Sequence, residues 1–393
     1  MKKWLKPPKL RIDENSEAER HATWLELFYD LIFVVTIARL NHNLSHDISL
    51  SGFFCFVVLF VPVWWTWVGA VLYATRFDTD DLGHRLLTAI QIVAVAALAV
   101  NVHNGLGENS AGFALSYAAV RIVLVIEYLY ARWHVPATRA LTTRFAWGFG
   151  TAAAIWLISA FVPQPLRFML WALGLMLDFA TPLRAGKLDA EFAPHSSHLP
   201  ERFGLFTLIV LGESIIAVVS GVAEQTWNIS TAIAAVSSLI IVFSLWWVYF
   251  DNLGGSAIQA ARACRCITAY QIWLYTHLPL VIGIAAIGVG VKYAILSQPS
   301  MALPPAVRWL VCTTLAICLL ALGMIYLSSF IGLNTLSVQS CPSRVKYRAI
   351  AAAFVFALAV AGADLSPVGL IGLLAVICAA QIIFEACETT ASS

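Results

Sequence analysis

Twelve stretches of this chain are apolar for about the length needed to cross a bilayer, and that repetition leaves few folds open. A helix needs about 20 apolar residues to cover the hydrocarbon core, where only helices and closed barrels satisfy their own backbone. The runs fall at 24–43, 52–73, 85–104, 112–132, 144–162, 165–184, 203–223, 229–250, 268–291, 306–330, 346–362 and 366–386. The fifth and sixth, and the eleventh and twelfth, are joined by very short turns at Pro163–Pro165 and Ser366–Pro367, where proline cannot continue the preceding helix. Only 12% of the 393 residues are charged and 60% are hydrophobic, with a mean hydropathy of +0.81. A soluble domain would carry about a quarter charged residues. The chain therefore reads as an all-α, polytopic membrane protein with about 12 transmembrane helices.

The basic residues give an orientation. Lys2, Lys3, Lys6, Lys9, Arg11 and Arg20 crowd the N-terminal tail, and most of the remaining Lys and Arg lie in the connections after the second, fourth, sixth, eighth and tenth runs. The opposite side has only Arg167, Lys292 and Arg308. By the positive-inside rule both termini are cytoplasmic. The tail lacks the short apolar segment and cleavage site of a signal peptide and is expected to stay on the protein. A net charge of +2 with no dense basic stretch excludes a nucleic-acid surface. Eight cysteines are scattered, mostly in apolar runs. Cys264 and Cys266 form the one close pair, without the second pair or nearby histidine that a zinc site uses.

The second half echoes the first. Arg85, Thr88, Ala89, Gln91 and Ile92 are matched by Arg265, Thr268, Ala269, Gln271 and Ile272, and Trp67–Val68 by Trp247–Val248. Arg144 and Pro163 are matched in the same order by Arg348 and Pro367. The predicted organisation is a tail (1–22), a first six-helix repeat (23–184), a connector (185–202), a second six-helix repeat (203–387) and a C-terminal tail (388–393). Six spans per half give a 6+6 repeat of parallel topology, a layout in which transporters bind substrate between the halves.

Charges inside the membrane are the candidate functional groups, because each is costly there unless it faces the bundle interior or a wet cavity. Glu26 and Asp30 lie four residues apart, on one face of the first helix. Asp178 and Glu213 complete an acidic set weighted to the cytoplasmic side, and Glu213 is expected to face the first pair. Arg39, Arg121 and Arg202 are the candidate charge partners. Arg121 and Glu127 sit on different faces of the fourth helix, so each needs a partner from elsewhere. Three readings follow. The charges fix helix packing; or Glu26, Asp30, Asp178 and Glu213 form a proton or cation site; or His198 and Glu201 join Glu213, Glu26 and Asp30 as ligands of a divalent metal. Pro200 places the start of the seventh helix near Ser197 or His198.

The segments TWLELFYDLIFVVTIARL and HLPERFGLFTLIVLGESIIAV resemble the bacterial low temperature requirement A family, and the span count agrees. The motif positions are Trp24, Glu26, Leu27, Phe28, Asp30, His198, Glu201, Arg202, Gly204, Gly212 and Glu213. The resemblance implies a multi-pass protein of a bacterial inner membrane. The expected function is secondary transport or ion translocation, with no cofactor required and with lipids and a small ion or solute as partners. The competing expectations are a metal-dependent membrane enzyme acting on a lipid or amphipathic substrate, and a non-catalytic scaffold or sensor.

Overall fold

The computed structural model describes residues 6–10, 21–78, 81–252, 258–259, 267–329 and 341–392. Cys264, Arg265 and Cys266 lie outside the described residues. Among the described residues, the first long helices are α1 (Trp24–His46), α2 (Leu50–Arg76), α3 (Leu82–Val102), α4 (Ser110–His134), α5 (Arg139–Ser159) and α6 (Leu166–Ala185). After a five-residue helix α7 (Lys187–Glu191) come α8 (His198–Ala223), α9 (Ile229–Phe250), α10 (Ile267–Leu296), α11 (Pro305–Ser328), α12 (Cys341–Ala361) and α13 (Pro367–Ser392). Each of the twelve apolar runs is a helix, and among the described residues nine of these helices are long and apolar enough to cross a membrane by length and composition. Helix α1 falls short because it carries Glu26, Asp30 and Arg39. Strands β1 (Lys9–Leu10) and β2 (Phe77–Asp78) pair antiparallel, Lys9 opposite Asp78 and Leu10 opposite Phe77.

The helix ends follow local chemistry. Asp81 caps α3 by accepting from the backbone N–H of His84, and Asn228 caps α9 through Thr231. Thr23 and Glu26 form a reciprocal capping box at α1: the Thr23 N–H donates to Glu26 and the Glu26 N–H to the Thr23 hydroxyl. As expected, α8 opens at His198, and prolines stand at the two short turns, with Pro165 capping α6 and Pro367 beginning α13.

The described residues form two compact units, drawn from 1–40, 57–203 and 258–271 and from 41–56, 204–257 and 272–393. In the first, α3, α4, α5 and α6 pack in sequence. Its core is aromatic: Tyr73, Phe77, Tyr128, Phe145, Phe149 and Phe192 cluster between α2, α4, α5 and the segment after α7. Arg76 is buried beside them, donating to the Phe192 carbonyl and pairing with Asp189 of α7. Burial pushes the Asp189 carboxyl above the usual carboxylate range, and the facing guanidinium pulls it back. In the second unit α12 packs on α11 and α13, and α13 on α9. Gly288 of α10 lies against α8 so closely that a Cβ there would stand 2.9 Å from the Cα of Ser214, whose hydroxyl donates to the Ile284 carbonyl.

Two of the matched pairs differ in environment. Trp67 is fully buried whereas Trp247 is 40% exposed. Arg144 is exposed and donates to the Arg184 carbonyl, whereas Arg348 is buried and pairs with Glu385.

Candidate functional site

Besides the Arg76–Asp189 pair, the first unit gathers its buried charges into two separate groups. The larger begins with the acidic pair of α1, since the i,i+4 spacing aims Glu26 and Asp30 at the first turns of α8. There His198 and Arg202, also four residues apart, present a matching face. Arg202 spans both acids: Nη2 lies 2.7 Å from Asp30 Oδ1, and Nη1 lies 3.1 Å from Glu26 Oε1. His198, fully buried, places Nε2 3.5 Å from Glu26 Oε2. The indole of Trp67 in α2 donates to Asp30 Oδ1 at 2.8 Å and packs edge-on against Phe203. The other oxygen of Asp30 is buried and receives no hydrogen bond among the described residues.

Beside this cluster is a cavity of about 30 Å³, lined by Glu26, Tyr29, Tyr73, Thr88, Arg202 and, on the far wall, His84, Gln91 and Glu127. That is room for about two water molecules. Glu127 is 3% exposed, and its polar neighbours are the Gln91 amide at 3.0 Å and His84 Nδ1 at 3.7 Å. It has no Lys or Arg partner among the described residues. The cavity thus joins a compensated pair of carboxylates to one that lacks a full counter-charge.

The second group is a closed ion pair. Arg121 of α4 holds Asp178 of α6 at 3.3 Å, and Tyr117 donates to the same carboxylate while accepting from the guanidinium. The guanidinium sits over the rings of Trp65, Tyr117 and Phe149. Gly69 of α2 makes room for it, since a Cβ there would lie 2.6 Å from Arg121 Nη1.

The predicted residues therefore separate. Glu26, Asp30 and Arg202 come together as a charge cluster with His198 added. Asp178 pairs with Arg121 in a packing contact of its own. Arg39 is exposed and has no ion pair among the described residues. Glu201 faces the chain entering α1, accepting from the Ala22 N–H and lying 3.6 Å from His21. Glu213 belongs to the second unit, where no hydrogen bond or ion pair engages its carboxylate among the described residues. No three His, Cys, Asp or Glu side chains among the described residues stand together as a metal would require. The position between Glu26 and Asp30 that a cation would take is filled by a guanidinium. His277 is a satisfied core histidine, with Tyr249 OH 3.1 Å from Nε2 and the Trp273 carbonyl 2.7 Å from Nδ1.

Sequence reasoning marked Glu127 as needing a partner from another helix but passed over His84, Thr88 and Gln91, which line the cavity with it. The signal was present: His84, Thr88 and Gln91 recur at i, i+4 and i+7, a polar stripe along a largely apolar helix.

The fold and the buried cluster define a multi-pass α-helical membrane protein with an ionic site inside the bundle. The sequence profile of the bacterial low temperature requirement A protein (LtrA) family matches residues 21–383, and the chain belongs to that family. A protein of Rhizobium meliloti (strain 1021), described as uncharacterized, is 27% identical over 312 residues, covering 72% of this chain and 75% of its own. No solved structure matches.

Proposed function

We propose that this protein is a secondary transporter or ion-translocating protein of the bacterial inner membrane, and that the cavity between Glu26–Arg202 and His84–Glu127 is where it handles a proton or small cation. The observation that carries the reading is Glu127: a buried carboxylate facing water-sized space, held among the described residues by a neutral amide and an imidazole. A carboxylate so placed can exchange a proton with the cavity. Glu26 and Asp30, held by Arg202, set the field around it, and Arg202 is the residue that would be released if either acid were protonated. Glu213, without a counter-charge among the described residues of the second unit, is a further candidate for ion binding. The cavity lies at the end of the first unit that carries the start of α1 and the α2–α3 turn. The Lys and Arg bias supports a cytoplasmic location for that end.

Proton-linked flux in proteoliposomes tests the proposal. Purified protein is reconstituted with a pH-sensitive dye inside, and ion gradients are imposed in turn. Wild-type protein is expected to move protons against at least one gradient, and Glu127→Gln to abolish the signal while remaining folded. Wild-type flux in both Glu127→Gln and Glu26→Gln would remove this function from the site.

A further inference from the structure

Helix α1 ends in the sequence Asn41-His42-Asn43-Leu44-Ser45-His46, polar where its apolar run has stopped. His42 and His46 stand four residues apart, so both rings leave one face of the helix, one above the other. Both are exposed, whereas Leu40 and Leu44 on the opposite face are buried. The two Nε2 atoms lie 3.1 Å apart, with the rings perpendicular and their centroids separated by 4.5 Å. The turn that carries them is held by its neighbours. Ser45 Oγ donates to the His42 carbonyl at 2.7 Å, and Tyr293 OH of α10 donates to the Ser45 carbonyl. Asp47 accepts from the Ser49 N–H at 3.1 Å as the chain turns into α2.

We propose that His42 and His46 chelate one divalent transition-metal ion of the copper, nickel or zinc class, the ions that imidazole suits best. Two imidazole nitrogens held about 2.0–2.1 Å from such an ion and 3.1 Å from each other subtend about 100° at the metal, between the square-planar and tetrahedral angles. The pair therefore already has the separation a chelate needs, on a turn already fixed, and binding spends little on rearrangement. In the neutral metal-free pair one ring donates its Nε2 proton to the other. On binding, that ring carries its proton on Nδ1 instead, so both Nε2 lone pairs face the ion and no net proton is lost. No third His, Cys, Asp or Glu among the described residues joins the pair. Water fills the remaining positions, which makes this an open site for an exchangeable ion, unlike the closed four-ligand shell of a structural zinc.

The site does not depend on the function proposed above, and it lies at the opposite end of α1 from Glu26 and Asp30. With the N-terminal tail in the cytoplasm, as the Lys and Arg bias supports, the ion reaches it from the external medium. There it ties the last two turns of α1 together beside the Tyr293 contact. Because the unfolded chain does not hold the two rings in register, binding stabilises the folded protein.

Two measurements on the full-length protein, purified in detergent without a polyhistidine tag, test the site. In the first, Cu2+ is titrated by calorimetry. Wild-type protein is expected to bind one ion per chain at the pair, with His42→Ala and His46→Ala each weakening that binding at least tenfold. Both residues are exposed, so the variants should fold, which size-exclusion chromatography checks. The double variant His46→Ala/Asp47→His keeps two histidines but sets them five residues apart, on different faces of the helix, and should bind as weakly as the single variants. Absence of stoichiometric binding to wild type, or wild-type affinity in the double variant, would overturn the chelate. In the second, electron paramagnetic resonance of the copper-loaded protein reads the nitrogen ligands. Two coordinated imidazole nitrogens in wild type, and fewer in each single variant, support the site; a spectrum that neither substitution changes places the copper elsewhere and overturns it.

Discussion

Nη2 of Arg202 lies 2.7 Å from Oδ1 of Asp30, although 172 residues separate the two in the chain. That contact joins the two sequence motifs of the family into one structure. It also turns the acidic pair of α1 from two exposed liabilities into a compensated cluster, since the same guanidinium reaches Glu26. Removing the cation leaves two carboxylates facing each other in a low-dielectric interior.

Arg202→Met is therefore expected to destabilise the protein by about 3–5 kcal/mol, the range for breaking a buried pair from one side. Asp30→Asn should cost less, because Asn keeps an acceptor for the Trp67 indole and Glu26 remains for Arg202. Thermal unfolding in detergent gives the order directly. An Arg202→Met variant as stable as Asp30→Asn would show that the cluster adds nothing to the fold.

Glu127→Gln is expected to leave stability within about 1 kcal/mol of wild type, because the amide keeps the shape of the side chain and an acceptor for Gln91. Its effect should fall on flux. The comparison with Glu213→Gln is informative, because Glu213 has no described polar partner to lose. Equal unfolding temperatures with flux lost in Glu127→Gln would separate ion handling from packing.

The spans were legible because a membrane imposes one length and one hydropathy on every crossing. Glu26 and Asp30 were legible as a pair for a local reason, the i,i+4 spacing on one helix. Arg202 was visible as a candidate partner, but no local pattern tells which carboxylate a distant guanidinium reaches. Asp178 was grouped with the α1 acids by estimated depth alone, and depth does not fix the side of the helix; its neighbour is Arg121. The TWLE capping box explains in addition why Glu26 stands where it does, three residues after Thr23, whatever further use the protein makes of it. His84, Thr88 and Gln91 were missed because each is a modest polar residue, and only their shared face gives them weight.

Gly69→Ala probes how tightly the second ion pair is packed. The added methyl would meet Arg121 Nη1 at 2.6 Å and Leu124 Cδ2 at 2.8 Å. Arg121 cannot simply withdraw, since it is enclosed by aromatic rings and tied to Asp178. A loss of about 1–3 kcal/mol is expected from the overpacking. An unchanged unfolding temperature would mean that α2 and α4 yield at this crossing.

Tyr117→Phe distinguishes a structural role for Asp178 from a role in ion handling. The phenol donates to the Asp178 carboxylate and accepts from Arg121, and the pair it completes does not line the cavity beside Glu26 and Glu127. Deleting the hydroxyl leaves the ring, its tilted contact with Trp156 and the Arg121–Asp178 contact in place. It removes the hydrogen bond to Asp178 and those from Arg121 Nε and Nη2 in a fully buried network, which should cost at least about 1.5–3 kcal/mol. Flux through the remaining folded protein should match wild type, because Glu127, His84 and Glu26 are untouched. Were flux to fall while the unfolding temperature held, Asp178 would belong to the ion path after all, and the division between a packing pair and a working cavity would have to be redrawn.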